Sequence, residues 1–81
     1  MAFPASAHAA VGDFTYSNRS GNLIIFRHPD GCYDTAASGS MWNETDAPAR
    51  VFALPNCEGE LLLELTPGER AEVPGFQSVR F

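Results

Sequence analysis

The chain has 81 residues, with ten acidic side chains against five basic ones and a formal net charge of −5. That length holds one small domain, and its basic residues are all arginines, scattered at 19, 27, 50, 70 and 80. Without a cluster of positive charge, nucleic acid and anionic membrane surfaces are disfavoured as partners.

Residues 1–9 are small and apolar, and Ala7-His8-Ala9 fits the A-x-A pattern of a signal-peptidase site. They read as the remnant of a signal peptide, with a disordered tail as the alternative, which leaves a single domain over 10–81 and an exported, extracellular protein. Nothing further along is long and apolar enough to span a membrane. Phe14-Thr15-Tyr16, the turn-forming cluster Ser17–Asn22 and the apolar run Leu23-Ile24-Ile25-Phe26 predict a hairpin. Pro29-Asp30-Gly31 then breaks the chain.

Asn43-Glu44-Thr45-Asp46-Ala47-Pro48 reads as a polar linker, and its closing X-Pro step resists helix. A second hairpin follows: Val51–Leu54, the turn Pro55-Asn56-Cys57-Glu58-Gly59, and Glu60–Leu65. Leucine at 61, 62, 63 and 65 would suit a helix, but only five residues separate Glu60 from Thr66-Pro67-Gly68, which favours a strand. Phe76–Phe81 alternates with period two, as a half-buried strand does. These elements predict an all-β sandwich of two four-strand units packed face to face.

The two hairpins are copies. Aligning 12–43 with 50–81, an offset of 38 without a gap, pairs Phe14 with Phe52, Asn18 with Asn56, Gly21 with Gly59, Leu23 with Leu61, Pro29 with Pro67 and Ser40 with Ser78. Unrelated sequence would give roughly two identities over that span. Two copies are too few for a solenoid and predict one closed domain with pseudo-twofold halves.

About 72 residues of mature chain are marginal for a hydrophobic core alone. Cys32 and Cys57 are the only cysteines, and in an exported chain such a pair reads as a disulfide. The alternatives, a metal pair or a reactive thiol, lack a CxxC and a nearby histidine cluster.

Phe52-x4-Cys57-x-Gly59 with Ser78, echoed by Phe14-x4-Arg19-x-Gly21 with Ser40, resembles the βγ-crystallin Greek key, a unit with two spaced aromatics, a glycine and a late serine. The likeness covers about 12–81, with motif one at about 12–43 and motif two at about 50–81. It implies that Gly21 and Gly59 take backbone conformations forbidden to a side chain, and that each serine ties its folded hairpin to the last strand. Arg19 and Cys57 stand where the second aromatics belong. Thr35–Ser40 and Val73–Ser78 lack the carboxylates and amides that calcium needs, so no metal and no cofactor is expected. Asn43–Asp46, Pro55–Gly59 and Ser78–Phe81 are most similar to small exported bacterial members of the family, a group with a metalloproteinase inhibitor and a killer-toxin-like protein.

No catalytic residues are assigned. His28, Asp30 and Asp34 could line a weak metal site, but three such ligands in a polar loop are commoner as solvated surface, and nothing in the sequence fixes the geometry of Ser38, Ser40 and His28 as a catalytic set. Asn18-Arg19-Ser20 and Asn43-Glu44-Thr45 are glycosylation sequons placed in turns. The resemblance implies a non-enzymatic, monomeric protein-binding domain. Its leading role is proteinase inhibition, presenting loop 28–33 (His28, Asp30, Tyr33) or loop 54–58 (Pro55, Asn56) to a secreted protease in a substrate-like pose. An adaptor or antimicrobial toxin-like module, contacting its partner through exposed aromatics such as Tyr33 and Trp42, is the alternative.

Overall fold

A computed structural model describes residues 9–18 and 20–81; Ala7 and His8 of the A-x-A site and Arg19 lie outside them. It is all-β. Six antiparallel strands, β1 (Gly12–Ser17), β2 (Leu23–Arg27), β3 (Cys32–Thr45), β4 (Ala49–Leu54), β5 (Glu58–Leu65) and β6 (Arg70–Arg80), form one hydrogen-bonded sheet in the order β2-β1-β3-β6-β4-β5. Among the described residues, no helix is long and apolar enough to cross a membrane.

The order reads β2-β1-β3 from one edge and β5-β4-β6 from the other. β3 and β6 meet at the centre, where Cys32 faces Arg80 and Trp42 faces Arg70. Each half contributes three strands, which corrects the expectation of four. The last segment of each half runs on as one long strand. Around Ser38-Gly39-Ser40, β3 passes through register shifts between Asp34 and Gly39. Gly39 takes φ 120° there, so the kink is absorbed without ending the strand.

The inner face carries the core. On β1 and β2 the period of two sends Phe14, Tyr16, Ile24 and Phe26 inward, and β3 and β6 add Ala37, Met41, Val73, Phe76 and Val79. Ala49, Val51 and Leu65 complete it from β4 and β5. The sheet folds over on itself, which fits a β-sandwich. Asn43 Nδ2 on β3 donates to Leu65 O on β5 at 2.9 Å, although β6 and β4 lie between those strands in the sheet order. Phe14 packs edge-on against Phe81 at 5.0 Å, and Tyr16 against Phe76 at 5.9 Å.

The polar linker is shorter than its sequence suggests. β3 continues through Thr45, and Asn43 and Thr45 are buried. Two amide protons of Asn43 go to Ala47 O and Leu65 O, and its Oδ1 accepts from Thr45 N. Thr45 Oγ1 lies 2.6 Å from Asn43 Oδ1 and 2.9 Å from Ala47 O, with one proton to share between them. Asn43 thus closes the β3–β4 connection, and its buried amide is no acceptor for a glycan.

Candidate functional site

The chain makes a tight, exposed corner where β4 turns into β5. Pro55–Cys57 forms a single 3₁₀ turn in which Asn56 (φ 62°) and Cys57 (φ 55°) are both left-handed. Consecutive left-handed non-glycine residues are costly, so the surroundings must hold them. Four interactions do. Cys57 is disulfide-bonded to Cys32 at the start of β3. Asn56 N donates to Asp34 Oδ1 at 2.6 Å. Cys57 N donates to Ser78 Oγ at 2.8 Å, and Ser78 Oγ donates to Leu54 O at 2.5 Å. A fifth constraint is steric: Gly59, at φ 78°, lies so close to Leu54 that an added Cβ would stand 2.7 Å from Leu54 Cγ.

Leu54, 52 % exposed, and the exposed Pro55 and Asn56 form the tip of this corner. The corner is rigid but not extended. Its left-handed pair departs from the substrate-like pose expected of loop 54–58, because the disulfide and Ser78 draw Cys57 back toward the sheet.

Loop 28–33 is held down. His28 N donates to Gly12 O, and His28 Nδ1 accepts from Gly12 N. Pro29 is buried, with its carbonyl accepting from Ala10 N, and Gly31 O accepts from Phe81 N. Asp30 N donates to the Tyr33 hydroxyl, while the Tyr33 ring stacks on Phe26 at 4.3 Å. Tyr33 therefore belongs to the aromatic cluster more than to the surface.

Phe14 is fully buried and Phe52 partly so. Gly21 takes φ 83° in the β1–β2 turn, where Asn18 Oδ1 accepts from Ser20 N and Asn22 N. The two aligned serines are not equivalent in space. Phe52 stands opposite Ser78, whereas Phe14 stands opposite Asn43, and Ser40 is exposed. Ser40 and His28 are not brought together: His28 is tied to Gly12, whose partner is Thr45, five positions along β3. Among the described residues, no group of three metal-ligating side chains forms.

A second feature is the outward face beside β2. Ile25, Thr15, Trp42 and Arg70 occupy one row across β2, β1, β3 and β6. Trp42 is 38 % exposed, with the Arg70 guanidinium 4.8 Å from its ring centroid. A groove of about 210 Å³ opens between Leu23, Ser17, Ser40, Trp42 and Arg70. The alternation of β3 contained this signal: with Met41 and Asn43 inward, Trp42 must point out.

A disulfide in so small a domain fits an oxidising, extracellular setting. No family model, no curated protein and no solved structure matches the chain.

Proposed function

We propose that the chain is an exported, non-enzymatic binding domain of βγ-crystallin-like type, two Greek keys joined at β3 and β6, whose role is to inhibit a secreted protease. Support for the scaffold comes from the 38-residue offset, which carries β1 onto β4, β2 onto β5 and β3 onto β6, in keeping with the palindromic strand order. The hydrogen bonds by which Ser78 ties Leu54 and Cys57 to the last strand support the same reading, since the resemblance implies such a tie for the late serine.

The inhibitory reading rests on the corner Leu54–Glu58. A protruding corner already fixed by a disulfide, three hydrogen bonds and a glycine contact loses little conformational freedom when it docks. Its left-handed backbone favours obstruction of the protease cleft, with Leu54 and Pro55 leading, over binding as a substrate strand. A second reading, an adaptor or toxin-like module, draws on the exposed Trp42–Arg70 pair. Titration against secreted metallo- and serine proteases tests the first reading: stoichiometric inhibition of at least one is expected, and none at micromolar concentration overturns it.

A further inference from the structure

The two outer strands of the sheet are built differently. β5 carries Glu58, Glu60 and Glu64, and its pairing with β4 shifts register on either side of Phe52. Charges and irregularities of this kind discourage another strand from joining an edge. β2, Leu23-Ile24-Ile25-Phe26-Arg27, contains no acidic residue, and its register with β1 is unbroken from Asp13↔Arg27 to Ser17↔Leu23. Leu23 and Ile25 are 68 % and 47 % exposed.

The backbone groups of β2 that have no strand partner among the described residues can be assigned. His28 N donates to Gly12 O, and Asn18 N donates to Asn22 O, so the even-numbered positions at both ends of the ladder bond toward β1. Antiparallel pairing alternates strictly. Ile24 and Phe26 therefore bond inward to β1, and the N–H and C=O groups of Leu23, Ile25 and Arg27 point out along the edge.

We infer that this edge pairs with a second copy of the chain, β2 against β2, in an antiparallel twofold dimer centred on Ile25. The strand is complementary to itself in that register. Ile25 faces its own copy, Leu23 faces the partner's Arg27, and Ile24 faces the partner's Phe26. The three outward residues of each strand then exchange all their backbone bonds. No like charges oppose each other, and the half-buried Ile24 and Phe26 gain a neighbour. The acidic β5 edge offers no such match, which sets a single closed dimer apart from an open chain of copies. The product is one twelve-stranded sheet.

Light scattering on the full chain across micromolar to millimolar concentration tests this, together with amide hydrogen exchange. The expected result is a doubling of mass, with protection of the Leu23, Ile25 and Arg27 amides rising in step. Ile25→Lys sets two ammonium groups against each other on the twofold axis and is expected to remain monomeric. Its mixture with Ile25→Glu is expected to recover the doubled mass. Because Ile25 points to solvent, circular dichroism is expected to show both variants folded. A mass that stays monomeric throughout, a dimer that persists in Ile25→Lys, or amides protected independently of concentration would each overturn the assignment.

Discussion

A hydroxyl with no exposed surface must find its partners inside the protein. Ser78 is fully buried, and it accepts from Cys57 N while donating to Leu54 O. Ser78→Ala removes both partners at once and leaves an amide and a carbonyl unsatisfied beneath the corner, at a cost of about 1–3 kcal/mol. Urea denaturation is expected to show that loss, and hydrogen exchange a loss of protection at the Cys57 amide. Ser40→Ala is expected to change neither. Glu69 offers a residue-scale test of pH. Thr66 donates its backbone N–H and its hydroxyl to Glu69 Oε1, at 2.7 and 3.0 Å. These bonds hold the carboxyl below its ordinary value of 4.5. A folded-state pKa below the unfolded one stabilises the protein above the unfolded value, and the contribution fades as pH falls through the folded value. The melting temperature of Glu69→Gln is therefore expected to lie slightly below wild type at neutral pH and to converge with it in acid.

At the scale of elements, two glycines with similar dihedrals answer to different constraints. Gly21 has φ 83° with open space around it, whereas Gly59 has φ 78° with Leu54 directly against it. Gly21→Ala should cost roughly 1–2 kcal/mol for the left-handed backbone alone. Gly59→Ala should cost more, since Leu54 must also move. Equal shifts in denaturation midpoint would contradict the packing described for the corner. Most strands were legible because period-two apolar runs end at Gly, Pro and Asn clusters. The length of β3 was not. Ser38-Gly39-Ser40 has the composition of a turn, and Asn43-Glu44-Thr45 that of a linker, yet both lie within one strand. The alternation Met41, Asn43, Thr45 was present in the sequence, but local polarity outweighed it. Only tertiary contacts, Asn43 with Ala47 and Leu65, make those polar residues interior.

At the scale of the molecule, the halves share strand order but not register. A gapless alignment pairs Ser40 with Ser78, while the sheet sets Asn43 opposite Phe14 where Ser78 stands opposite Phe52. A one-dimensional offset cannot report a slip between strands, so the corner at Leu54–Glu58 was recognisable as a turn but not as the more exposed of the two candidate loops. The disulfide links the halves across 25 residues. Replacing both cysteines by alanine is expected to lower stability by about 3–4 kcal/mol, read by chemical denaturation. The most direct test of the binding account is an inhibition titration comparing wild type, Leu54→Glu and Trp42→Ala on one susceptible protease. Leu54→Glu is expected to weaken inhibition at least tenfold, about 1.4 kcal/mol, while Trp42→Ala inhibits like wild type. Undiminished inhibition by Leu54→Glu, or its loss in Trp42→Ala, would contradict the assignment of the corner as the contact surface.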